Sequence, residues 1–225
     1  MSDKLTLDGI TYTFPLGDKT TVMVGDSTDV SALYSTACTY SAFTDLLSNC
    51  GSGTAAGLGG GTDFQATPND TSDDASSATV AASYDFGNGF TIAGGLSAAG
   101  GDDAGLFTLE SNDVYGVQAA YNTDSYGVSL SYALVETTNT DDSTFFGVNA
   151  YYSLDGGPSL SVGFETEDPD ATAEESGYFI GLTWDEFGPG SLSVGMSTLE
   201  NYADAQTELY QYEAAYSYAV NDGMT

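Results

Sequence analysis

Residues Thr144 to Glu165 alternate apolar and small polar positions on both sides of a tight turn, Asp155-Gly156-Gly157-Pro158. Phe146, Val148, Ala150, Tyr152 and Leu154 share one parity before the turn, and Leu160, Val162 and Phe164 share one after it. Gly147, Asn149, Ser153, Ser159, Ser161 and Gly163 fall between them. A two-residue period predicts a β-hairpin with one apolar face and one small, polar face. Each arm is about 8 to 11 residues long, what a tilted strand needs to cross the hydrocarbon core of a bilayer.

Extending the pattern in both directions predicts about eleven strands. The first runs from Leu5 to Phe14, turns at Pro15-Leu16-Gly17-Asp18 and returns through Lys19 to Gly25. A long irregular stretch, 26–77, follows. Further hairpins are expected over Ala78 to Phe86 with Phe90 to Ala98, and over Asp113 to Tyr121 with Tyr126 to Val135. After the hairpin at Thr144 to Glu165, Ser176 to Asp185 pairs with the stretch through Leu192, Val194 and Met196, and a last strand spans Gln206 to Ala219. Short turns alternate with long acidic or Gly-rich loops, an asymmetry that outer-membrane barrels have and a soluble meander has no reason to keep. The expected fold is therefore all-β, an antiparallel up-and-down transmembrane β-barrel, incomplete in this chain, forming one domain over 1–225.

Aromatic positions give an independent indication. Tyr84, Phe86, Phe90, Tyr121, Tyr126, Tyr152, Trp184, Phe187, Tyr216 and Tyr218 all lie within a few residues of the short turns, as an interfacial girdle requires. A looser group, Phe107, Phe146, Phe164, Tyr178, Tyr202 and Tyr210, lies toward the long loops. Strand charges point the same way, because Asp85, Glu165, Asp185 and Glu213 fall on the small polar parity, together with Gln118 and Asn149. These six are the expected pore-lining residues. Asp8, on the apolar parity, implies a bulge near Gly9 or a place at the rim.

Composition narrows the function. The 225 residues carry a formal net charge of -31, with 33 acids against two lysines, Lys4 and Lys19, which excludes a basic surface for nucleic acid. There is no histidine, so His-based triads, imidazole proton shuttles and the usual catalytic zinc sites are excluded. Aromatics at 12%, with 28 glycines, argue against a disordered acidic chain. No apolar run is long enough for a transmembrane helix. No cofactor or metal is expected. Catalysis would be left to carboxylates or to a lysine base, Lys4 or Lys19, and none among the many acids is singled out as a pair.

The long stretch holds both cysteines, Cys38 and Cys50, whose proximity in a non-cytoplasmic loop suggests a disulfide. Between them Ser41 to Leu47 reads as a short helix capped by Ser41, and two readings of the stretch stand side by side. In one it folds into the barrel and narrows the pore, with Asp45 at the constriction. In the other it is a disordered outer loop, which the glycine-rich run 51–61 favours. The acidic run Glu165 to Asp170, with Glu174 and Glu175, lacks the spacing and glycine of an EF-hand, and Leu58 to Asp63 matches a calcium-binding β-roll repeat only once.

The segment Leu7 to Val22, above all Tyr12-Thr13-Phe14-Pro15-Leu16-Gly17-Asp18-Lys19, resembles outer-membrane porins of cyanobacteria, relatives of the carbohydrate-selective porins that are often labelled iron-uptake porins. The resemblance implies a passive channel for small hydrophilic solutes or ions in the outer membrane of a Gram-negative-type bacterium. It also implies a preceding signal peptide, an S-layer-homology domain and a coiled coil, none of which is legible here. With an odd strand count and a last strand followed by a turn, the expectation is a fragment lacking several early strands and the final ones. The expected partners are outer-membrane lipid and small hydrophilic solutes or cations, with a homo-oligomer such as a trimer as the assembly. The competing reading is a soluble secreted acidic β-domain, a Ca²⁺-dependent binding or adhesion module, with its apolar parity inward. Alternation alone does not say which face is inside.

Overall fold

A computed structural model of the chain describes residues 10–26, 28, 30–40, 77–99, 112–136, 142–169, 175–199 and 209–218. They form one 11-stranded sheet in which every strand lies next to its sequence neighbour. The strands are β1 (Ile10–Leu16), β2 (Thr20–Asp26), β3 (Ser77–Asp85), β4 (Phe90–Ala99), β5 (Asn112–Asn122), β6 (Tyr126–Glu136), β7 (Ser143–Ser153), β8 (Ser159–Pro169), β9 (Glu175–Phe187), β10 (Gly190–Leu199) and β11 (Leu209–Tyr218). All pairings are antiparallel. The molecule is thus all-β, an up-and-down meander consistent with part of a β-barrel, and the described residues add only a short 3-10 helix, Val30–Leu33.

Register fixes which face each residue joins. Along β6, Tyr126, Val128, Leu130 and Tyr132 are exposed while Gly127, Ser129, Ser131 and Ala133 are buried. The contrast is large, 47% for Leu130 against 1% for Ser129 and Ser131. The β7–β8 hairpin repeats it, with Phe146, Tyr152, Val162 and Phe164 exposed and Asn149, Ser161 and Glu165 buried. A sheet in water shelters its apolar side, so this is the inverse of a soluble sandwich. Large side chains project outward, and the small inner residues let neighbouring strands curl toward one another.

Two turns differ from expectation. The β1 strand continues through Pro15 and Leu16, which pair with Thr21 and Thr20, and the turn is Gly17-Asp18-Lys19 with Gly17 at φ 77°. Pro15 is tolerated because β1 is an edge strand of the described sheet, where its missing N–H interrupts no second ladder. Glycine at 17 supplies the left-handed conformation that Leu16 would resist. Likewise β9 runs on to Phe187, and the ladder shifts register between the Trp184↔Leu192 and Phe187↔Gly190 pairs, a bulge that carries Asp185 and Glu186. Residues 1–9, including Asp8 and Gly9, lie outside the described residues.

Candidate functional site

The inner face is occupied by the chain itself. After β2, residues 30–40 lie across it as a strap. The head of the strap is Val30, fully buried in a cluster with Val114, Ala133 and Phe145, which lie toward the long-loop ends of β5, β6 and β7. Ahead of it the Thr28 carbonyl accepts from Thr79 Oγ1 at 2.8 Å, and Thr28 Oγ1 lies 2.8 Å from Thr11 Oγ1. From there the strap descends nearly the length of β5. Ser35 N donates to Gln118 Oε1 at 2.7 Å, and the Ser35 carbonyl accepts from Asn122 Nδ2 at 2.8 Å, at the short-turn end of that strand.

The middle of the strap is held by a series of inner-face side chains. Gln118 Nε2 donates to Thr36 Oγ1 at 2.8 Å and to Ser131 Oγ at 3.0 Å, so both ends of this one amide are engaged. Ala37 N donates to Ser129 Oγ at 3.0 Å, and Thr39 N donates to Ser161 Oγ at 3.1 Å. A segment without regular structure that is buried against a sheet must find partners for its amides, and serine and glutamine side chains supply them here.

The tail is Tyr40, whose ring stands edge-on to Phe179 at 5.3 Å. A Cβ at position 181 would fall within that ring, so glycine there is what admits it. Burial, and then the charge of Glu213, push the Tyr40 phenol up to about 12. Burial likewise pushes the Tyr34 phenol up. Cys38, between the Ala37 and Thr39 anchors, is disulfide-bonded, and its Sγ accepts from Tyr40 N at 3.3 Å.

The expected pore-lining residues separate into two groups. Gln118, Asn149 and Glu165 are buried on the inner face and Glu213 is half-buried there. Asp85 and Asp185 are exposed beside short turns, Asp85 accepting from Gly87 N at 2.7 Å and Asp185 lying in the β9 bulge. Asp45, Cys50 and the expected helix over Ser41 to Leu47 lie outside the described residues. So do Phe107, Tyr202, Glu174 and the run Leu58 to Asp63.

All ten aromatics expected near the short turns are placed there. Tyr84, Phe86, Tyr126, Tyr152, Phe187, Tyr216 and Tyr218 are exposed, and Phe90, Tyr121 and Trp184 half-buried. They touch in pairs, Tyr84 with Phe86 at 4.7 Å, Phe86 with Phe90 at 5.0 Å, Tyr121 with Tyr126 at 6.0 Å and Phe187 with Tyr216 at 6.4 Å. Toward the long loops, Phe146, Phe164, Tyr178 and Tyr210 are exposed as well, with Tyr178 and Tyr210 6.4 Å apart.

Reading the sequence missed the strap contacts at Val30, Ser35, Thr36, Ala37, Thr39 and Tyr40, and their seats at Ser129, Ser131, Ser161 and Gly181. One signal was present. Phe145 and Phe179 put large apolar side chains on the small polar parity, and each is covered by one end of the strap. Among the described residues no group of three or more His, Cys, Asp or Glu could hold a metal ion.

A model of the Gram-negative porin family matches residues 16–225. None of the curated proteins matches the chain. Among solved structures the chain is similar to the outer-membrane expressed OmpT of Vibrio cholerae, at 13% identity and a TM-score of 0.47, over 84% of this chain and 53% of that one. The loop L8 deletion mutant of the same protein gives 15% identity and a TM-score of 0.47, over 84% and 56%. Its in-vitro folded trimer form gives 14% and 0.40, over 96% and 90%. The chain spans about half the length of the first two.

Proposed function

We propose, for a chain that belongs to the Gram-negative porin family, that it forms a passive, cation-preferring channel for small hydrophilic solutes or ions and is not a catalyst. The protein is an outer-membrane protein. The observation that carries the channel reading is the inversion of the faces. Leu130, Val128 and Tyr132 are exposed where lipid would lie, while Gln118, Asn149 and Glu165 line a polar interior. The paired aromatics at the short turns act as the interfacial girdle, their rings at headgroup depth.

In this reading the strap is the constriction. It enters from the long-loop end and reaches Asn122 at the opposite end, so any solute passes beside it. Cys38 and Cys50 are its covalent brace, since Cys38 is bonded and Cys50 is the only other cysteine. Asp45, a few residues past Tyr40, adds negative charge to the same region. Cation preference rests on inward carboxylates, whose field a low-dielectric wall focuses. The run from Tyr12 to Lys19 supports a cyanobacterial carbohydrate-selective or iron-uptake type, preceded in the whole protein by a wall-binding domain, and a homo-oligomer such as a trimer is the assembly.

Liposome swelling tests the reading. Vesicles carrying the full-length protein should swell in small neutral sugars at rates that fall steeply with solute size. Swelling no faster than in protein-free vesicles would rule out a general diffusion pore.

A further inference from the structure

Resting on the channel reading, one gap on the inner face has polar atoms that the fold leaves unsatisfied. Gly181 on β9 pairs with Gly195 on β10, and Gly195 pairs with Glu213 on β11. The two glycines put no side chain between the Tyr40 ring, seated on Gly181, and the Glu213 carboxylate. From β9 to β11 is two strand spacings, roughly 10 Å, a span within the combined length of a tyrosine and a glutamate side chain. The charge of Glu213 is felt at the Tyr40 phenol.

Among the described residues, the hydroxyl of Tyr40, which is 8% exposed, has no hydrogen-bond partner. Glu213 Oε1 is likewise buried without one. Buried polar atoms are rarely left so, and two with only glycines between them on the sheet call for a shared ligand. A carboxylate and a phenolic oxygen both accept, and the carboxylate repels anions, so the ligand they suit is a small cation. We infer that the Tyr40 hydroxyl and the Glu213 carboxylate together form the cation-selecting site of the channel, taking a small monovalent cation or a protonated amine.

The other inward or nearby acids serve this less well. Asp85 is committed to the amide of Gly87 at the rim. Asp185 is exposed, where salt screens it within about 8 Å. Asp113 and Glu165 already have interactions of their own.

The test is the reversal potential of the full-length protein in planar bilayers under a KCl gradient. Wild type should prefer K⁺ over Cl⁻. Glu213→Gln should lower that preference by about threefold or more, as loss of one charge at a narrow, low-dielectric site demands. Tyr40→Phe should lower it less, and Asp155→Asn, exposed in the turn between β7 and β8, should leave it unchanged. Heat-dependent gel mobility establishes that each variant is folded, and should Glu213→Gln not insert, Tyr40→Phe decides alone. An unchanged preference in the folded Glu213 variant, or in Tyr40→Phe where that variant decides, overturns the inference while the channel stands. Anion preference in wild type overturns it too. Absence of any wild-type channel removes the channel reading and this site with it.

Discussion

The Tyr40 ring meets Phe179 edge-on, at 5.3 Å between centroids and 83° between planes, and position 181 admits it by having no Cβ. An edge-to-face pair of this kind contributes about 0.5–1.5 kcal/mol beyond the area it buries. Gly181→Val should expel the ring and free the tail of the strap. Single-channel conductance is expected to rise and thermal stability to fall. Unchanged conductance in a folded Gly181→Val protein would mean that the strap does not narrow the pore.

Gln118 is the hub of the middle anchors, engaged with Ser35, Thr36 and Ser131 at once. Truncation to alanine leaves the half-buried Ser35 amide unpaired, at about 1 kcal/mol. Urea unfolding of reconstituted Gln118→Ala should show that loss together with noisier open-channel current. Ser193→Ala, whose hydroxyl among the described residues pairs across the sheet with Thr183, should leave the current noise as in wild type.

The strand pattern was open to inspection in the sequence because a period of two is set by the backbone itself. The faces of β6, β7 and β8 follow directly from it, as does the split between Ser161 inside and Val162 outside. The exposure of the apolar parity agrees with the make-up of the other one, glycine, serine and alanine where a soluble sheet would carry lysine and glutamate. The strap was not legible. Its hydrogen bonds to the sheet join residues 82 to 122 positions apart, as between Gln118 and Thr36 or Ser161 and Thr39, and no local period encodes such pairs. Turn ends were misplaced where a tertiary setting overrode local preference, as at Pro15, which an edge strand accepts.

Leu130 is 47% exposed in the middle of β6, on the face assigned to lipid. Leu130→Arg should cost about 2–4 kcal/mol of folding free energy in bilayers, the penalty for a cation near mid-depth. Denaturant titration in lipid vesicles measures it. A cost near zero would place that residue in water.

Burial, followed by the charge of Glu213, holds the Tyr40 phenol up from 10.0 to about 12. An unfolded tyrosine ionises near its ordinary value, so between these two pH values the unfolded chain binds fewer protons than the folded one, and stability falls as pH rises. The docked strap should therefore be at full strength below about pH 10 and be lost as pH climbs through about 12. Alkaline unfolding monitored by near-UV absorbance should show this window in wild type and a shallower one in Tyr40→Phe. Identical profiles would mean that Tyr40 is not the group responsible.

The central claim, a passive outer-membrane channel narrowed by its own second loop, is tested most directly by single-channel recording of the full-length protein in planar bilayers. Discrete, ohmic steps in KCl are expected, present without added substrate or energy source and cation-preferring under a gradient. A bilayer that stays silent after demonstrated insertion of folded protein would contradict it.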